Sequence, residues 1–214
     1  MLFSATIILG GKMFGSGQVS CLFTAPFSDT SGGDIMKDDL NKLDFRPVQS
    51  AKPTEELYEM CRDILEHPEF LDLKTRVHHH SSNVYCHLVR AAKAAVIICR
   101  HKGYPEEMTR EIVRAALLHD FCDFDWRLTK QNKKQWTLAE RIHRQYVYHH
   151  GKNAAKNAKR VFDINDKQFA AIKSHMFPAG WPKDTYGWVV QMCDKIATYY
   201  ECTVNPMENF NNLD

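Results

Sequence analysis

From Pro53 onward the apolar positions recur every three or four residues, the period of an amphipathic helix, and they do so almost to the end of the chain. Leu57, Met60, Cys61 and Ile64 stand at i, i+3, i+4 and i+7 and predict a helix over 54–66. Val84, Leu88, Ala91, Ala92, Ala95 and Ile98 line one face of a helix over 83–101. Its last turn, Arg100-His101-Lys102, is basic and is followed by Gly103. That pairing suits the negative end of a helix dipole and a left-handed cap. Pro105 opens the next helix, with Glu106 and Glu107 in its first turn. This helix buries Ile112, Val113, Ala116 and Leu117 and runs into His119-Asp120. Further helices are predicted over 137–148 and over 152–162, the latter through Ala154, Ala155, Ala158, Val161 and Phe162. Asn165 with Gln168 three residues on forms a capping-box pattern. The helix it opens carries Phe169, Ile172 and Met176 and stops before Pro178. A last helix over 185–202 buries Val189, Met192, Cys193, Ile196 and Tyr200. No strand alternation is visible, so the expected fold class is all-α, a compact helical bundle.

Residues 1–35 break this pattern: they are rich in Gly and Ser and hold no sustained helical period. The expected organisation is a poorly structured extension over 1–50, with Met36 as a candidate natural start, and a helical domain over 51–214. The opening MLFSATIILGG is apolar but has no basic residue before it, which makes a poor signal peptide. Seven Cys are scattered without a C-x-x-C pair, and Cys86, Cys99 and Cys193 sit in apolar helical patterns as small buried hydrophobes. This argues against a disulfide framework or a thiolate zinc site and for a reducing cytoplasm. No run approaches the ~18 apolar residues of a membrane span. Twenty-eight Lys and Arg against 26 Asp and Glu leave a formal charge of +2, too balanced for a nucleic-acid footprint. Eleven His are the departure from ordinary composition.

Several of these histidines fall on or beside apolar faces. His119-Asp120 ends an apolar helix, and His87 lies one residue before Leu88 at the edge of a buried stripe. Asp194 lies between Cys193 and Ile196 beside the stripe of the final helix, where desolvating a lone carboxylate is costly. His175 ends one helix and His150 precedes another. Taken singly, each has an ordinary reading as a cap, half of an ion pair or a surface group. Taken together, they place metal-ligand side chains on core helices with no basic cluster to neutralise the two Asp. A divalent cation would do so.

The spacing His87 … His119-Asp120 … Asp194, all on helices, resembles the HD superfamily of metal-dependent phosphohydrolases. NVYCHLVRAA is similar to that family's first-histidine helix. AALLHDFCDFDW resembles its HD helix and the Asp-Trp segment that follows in one bacterial branch. HHGKNAAKNA, IKSHMFP and VVQMCDKIA resemble the branch's histidine before an Asn-Ala pair and its His-Met and Asp-Lys segments. The resemblance spans roughly residues 55–203 and implies a bundle of the HD-domain type. It implies that His87, His119, Asp120 and Asp194 bind one metal. His150 and His175 match the additional histidines of branches with a second metal, Asp120 bridging the two ions. His149 rivals His150, which the seven-residue distance to Asn157 favours. His79, eight before His87, matches a further family histidine at the substrate. Arg127 stands where the branch often has His and Cys86 where it often has an acidic residue, departures that bear on the substrate.

Imidazole and carboxylate ligands without thiolates suit Fe, Mn, Zn, Co or Ni, one ion or two. Such ions lower the pKa of a bound water towards about 7 and clamp the oxygens of an in-line displacement at phosphorus. The expected function is hydrolysis of a phosphate ester, a nucleotide or a small phosphorylated metabolite, by metal-bound hydroxide. Asp120 and Lys195 are the candidate catalytic residues. Lys195 reads as a phosphate contact or as exposed surface, and Asp125 as a group orienting a ligand or as a helix cap. Trp126 and Trp181 read as walls of a nucleobase pocket or as core. His78, His80, His101 and His143 read as solvated or structural. The alternatives are a diiron oxygenase on an HD-type core and a non-catalytic ligand-sensing helical module.

Overall fold

The computed structural model describes residues 42–76, 78, 82–122, 149–176 and 180–204. Within the unit Asp44–Asp214 the helices are α1 (Arg46–Gln49), α2 (Glu55–Leu65), α3 (Pro68–Leu71), α4 (Val84–Lys102), α5 (Glu106–Leu118), α6 (His150–Phe162), α7 (Asp166–Ser174) and α8 (Thr185–Tyr199). A 3-10 turn over Asp72–Thr75 follows α3, and α8 widens into a π-helical turn over Tyr200–Val204. No strand occurs among the described residues, so the class is all-α. The predicted helix over 137–148 lies outside them, as do His79, His80, Asp125, Trp126, Arg127 and His143.

The helix ends follow local chemistry. Thr54 and Asn83 accept hydrogen bonds from the backbone N–H groups of Leu57 and Cys86, which start α2 and α4. Asn165 and Gln168 form the reciprocal capping box of α7, and Asp184 caps α8 by accepting from Gly187. α4 ends at Gly103, whose φ of 64° is the left-handed cap expected after its basic last turn.

α4 is the axis of the bundle. A single apolar stripe was the expectation, yet from Tyr85 to Val96 this helix is buried on every side, including His87, Arg90 and Lys93. It packs against α5 and α8, while α7 packs against α6, α5 and α8. Lys93 keeps its ammonium satisfied by donating to the Ser50 carbonyl at 2.9 Å. That bond ties α4 to the end of α1, whose Val48 is fully buried. Residues 46–50, assigned to the extension by sequence, thus belong with the helical unit, because a buried lysine and a buried valine bind them to it.

A second core gathers where α5 ends. Phe121, 1 % exposed, lies against Phe70 and Phe162, with ring centroids 6.2 and 5.3 Å away. Its carbonyl accepts from Asn157 Nδ2 at 3.1 Å, and the next carbonyl, of Cys122, accepts from Arg76 at 2.8 Å. The chain leaving His119-Asp120 is therefore clamped on both sides. No helix among the described residues is long and apolar enough to cross a membrane. Phe121→Ala is expected to lower stability by about 3–5 kcal/mol in urea titrations. Truncating the exposed Leu71 to Ala should change it by only about 0.5 kcal/mol.

Candidate metal centre

Three helices bring the first set of polar groups together. His87 lies one turn into α4, His119 and Asp120 follow the end of α5, and Asp194 lies in the third turn of α8. His87 and His119 are fully buried, and Asp194 is 5 % exposed. His87 Nε2 lies 3.2 Å from His119 Nε2 and 3.3 Å from Asp194 Oδ1, and His119 Nε2 lies 3.7 Å from the same oxygen.

The second set comes from α6 and α7. His150, the first residue of α6, is buried, whereas His149 before it is exposed. His175 caps the C-terminus of α7 and is buried. The two Nε2 atoms are 3.0 Å apart, and each is 3.5 Å from Asp120 Oδ1. This approach depends on Gly151. A Cβ there would lie 2.9 Å from the Lys173 carbonyl oxygen and 3.3 Å from His175 Nδ1.

Asp120 stands between the two sets. Oδ1 faces His150 and His175, while Oδ2 lies 4.0 Å from His119 Nε2 and 3.5 Å from His78 Nε2. All six residues expected from the family resemblance to hold metal thus converge. Lys195 sits at the rim, its side chain about a third exposed, with Nζ donating to Asp194 Oδ2 at 2.8 Å and 3.9 Å from Met176 Sδ. No basic cluster was expected beside the two aspartates; a single lysine, Lys195, pairs with Asp194. Trp181 is exposed and packs edge-on against Trp188 rather than filling a core.

Three neighbours escaped the sequence reading. His78, read as solvated or structural, takes neither a plain surface place nor a core one: it stacks on His87 with centroids 4.0 Å apart and reaches both Asp120 and Glu201. Glu201 is buried in the π-helical turn, 3.2 Å from His87 Nδ1. Arg90, also buried, lies 3.1 Å from Glu201. The signal for Glu201 was its position seven residues after Asp194, two helical turns along the same face.

The protonation pattern bears on what the cluster can hold. His119 and His175 place Nδ1 2.8 and 2.7 Å from the carbonyl oxygens of Ala116 and Ile172. A carbonyl only accepts, so both rings carry hydrogen on Nδ1, and in the neutral ring the lone pair is at Nε2. Those lone pairs face His87 and His150 at about hydrogen-bond distance, which needs a proton or a cation between the rings. Asp120 Oδ1 is buried and has no hydrogen bond. Burial alone would raise the Asp120 carboxyl, but His150 and His78 hold it well below the usual range. The same balance holds Asp194 low through His119, His87 and Lys195. Burial opposes charging of His87, yet Glu201 and Asp194 outweigh it and raise the imidazole to about 10. Burial, reinforced by His119 and His150, pushes His175 down to about 3.

Within 4.8 Å of one another lie ligand atoms of His87, His119 and Asp120, of His119, His175 and Asp194, and of Asp120, His150 and His175. Imidazole nitrogens and carboxylates, with no thiolate among these groups, form a donor set that fits a divalent first-row transition ion. The orphaned Asp120 oxygen and the facing lone pairs fit such an ion as well.

Residues 84–199 match the family model described as HD domain. No curated protein and no solved structure matches the chain.

The His175 shift has a measurable consequence in metal-free protein. An unfolded imidazole titrates near 6.5 and the folded one near 3, so the unfolded chain binds the extra proton in between. Stability should therefore fall as pH drops from 6.5 towards 3. His87 slopes the other way, its contribution being complete below 6.5 and lost as pH rises towards 10. Urea titrations of chelator-treated protein at pH 6.5 and pH 4 should show the acid loss, and His175→Asn should reduce it. An unchanged loss in that variant would assign the effect to the carboxylates alone.

Proposed function

The chain belongs to the HD domain family, and on that premise we propose that it is a metal-dependent phosphohydrolase acting on a small phosphate ester. The observation that carries the reading is Asp120, a carboxylate set between two pairs of imidazole Nε2 atoms with one oxygen lacking any hydrogen bond. Families of this kind use divalent metals, and the donor set here suits Fe, Mn, Zn, Co or Ni. His87, His119, Asp120 and Asp194 would hold one ion, and Asp120, His150 and His175 a second. Bound there, divalent ions supply Lewis acidity towards phosphoryl oxygens and a nucleophile from water near neutral pH.

The remaining work falls to the protein. The Ala116 and Ile172 carbonyls keep His119 and His175 in the tautomer that offers Nε2. Lys195 carries positive charge to the rim, where a substrate phosphate would enter, while Asp194 holds its ammonium in position. The buried rings of Phe121 and Phe70 back the Asp120 segment and exclude water from behind it. The overall reaction adds water across a P–O ester bond, releasing phosphate and an alcohol. A nucleotide is one substrate within this class. A cytoplasmic setting is proposed from the reduced thiols of Cys61, Cys86, Cys99, Cys193 and Cys202.

Purified protein is expected to contain one or two transition-metal ions, and to release phosphate from members of a nucleotide and phosphomonoester panel when supplied with manganese under anaerobic conditions. Protein that stays metal-free after reconstitution would overturn the reading. Iron-dependent oxygen consumption without phosphate release would assign the chain to oxygenase chemistry instead. Asp120→Ala should abolish metal binding and turnover, whereas His101→Ala, at an exposed position on α4, should change neither by more than about twofold. His150→Ala should lower metal stoichiometry by one ion. Unchanged stoichiometry would favour a single-metal site.

A further inference from the structure

The buried acid of the π-helical turn is not among the metal ligands proposed above, and its surroundings give it a different task. Glu201 is 3 % exposed, and four groups converge on its carboxylate. Arg90 Nη1 donates to Oε1 at 3.1 Å, and Ser82 Oγ lies 3.3 Å from that oxygen. His87 Nδ1 lies 3.2 Å from Oε2, and His78 Nδ1 lies 3.4 Å from it. Arg90 and Ser82 also bond each other at 3.1 Å, so the acid rests in a closed cradle. We propose that Glu201, fixed by Arg90 and Ser82, is a positioning residue that accepts the Nδ1 hydrogen of His87 and so presents His87 Nε2 to a divalent cation.

The geometry favours this over a further metal site at Glu201. His78, His87 and Glu201 do lie within metal-binding distance of one another. A cation there would have to take His87 through Nδ1, while Nε2 already faces His119 and Asp194. It would also sit beside the Arg90 guanidinium, which already supplies the positive charge that Glu201 needs. A carboxylate that accepts from the far nitrogen of a metal-binding histidine sets the ring's orientation and tautomer and makes Nε2 a better donor. The unusual part is its support. His119 and His175 obtain the same service from backbone carbonyls, whereas His87 sits within α4 and obtains it from a charged pair spanning α4 and the end of α8.

The proposal rests on the metal-centre reading, and the test separates the two. The full chain is titrated with Co2+ alone and followed by visible absorption, comparing wild type, His150→Ala and the double variant Arg90→Gln/Glu201→Gln. The double variant removes both charges, so no buried ion is left without its partner. Its helical circular dichroism is recorded alongside. The expected result is a ten- to hundredfold weaker Co2+ affinity at the His87 end with an altered absorption band. The ion lost in His150→Ala should be retained, and the helical signal kept. If the wild type binds a single ion, the affinity of that ion should fall. A double variant with wild-type affinity and spectrum overturns the proposal and leaves the metal centre standing. Loss of both ions together with the helical signal also overturns it, as a merely structural role. A wild type that binds no Co2+ overturns the metal-centre reading and this proposal with it.

Discussion

Among the described residues, three carboxylates and five imidazoles share a small volume within this bundle, and their charges and lone pairs must balance there without bulk water. Glu201 is matched by Arg90 and Asp194 by Lys195. Among the described residues Asp120 has no lysine or arginine in reach and is surrounded by imidazoles. Removing a carboxylate from water costs several kcal/mol unless an opposite charge stands beside it. The helices are arranged around that requirement: α4, α5 and α8 deliver one half of the cluster, α6 and α7 the other, and the Asp120 carboxylate joins them.

Two of the histidines solve a problem of the helices while serving the site. A helix leaves its last carbonyls without intrahelical partners, and burial makes those vacancies expensive. His119 and His175 each follow the final residue of a helix and turn Nδ1 back onto the carbonyl three residues earlier. One hydrogen bond thus closes the helix end and leaves Nε2 facing inward as a lone-pair donor. Folding and ligand orientation are here the same interaction, so neither ring can turn without exposing a helix end.

The helical period, the Gly103 cap and the Asn165 capping box were readable because each depends on a few neighbouring residues. That His and Asp side chains on core helices share a cation was read from the residues together, but which of them hold one ion came only from the family resemblance, since no local rule brings separate segments to one point. The misses have physical causes. Periodicity marks one buried stripe, but α4 from Tyr85 to Val96 is buried all round, so nothing in the pattern singled out Arg90 and Lys93. His78 lies in a histidine and serine tract without helical period, and nothing in that tract says it folds onto His87. Val48 and Ser50 precede the periodic region, and the bond that draws them in comes from a lysine far along the chain.

Gly151 binds nothing, yet the α6–α7 half of the cluster is only as tight as that residue is small. One methyl group there would press on the Lys173 carbonyl, part of the backbone of α7 and unable to step aside as a side chain would. Homologues that retain every histidine and aspartate but carry alanine or serine at this position would look intact to a survey of ligands alone. In such chains α6 and α7 must shift against each other, and the 3.0 Å approach of His150 to His175 would loosen. The glycine is therefore a position to read beside the ligands when the tightness of this half of the centre is compared between chains.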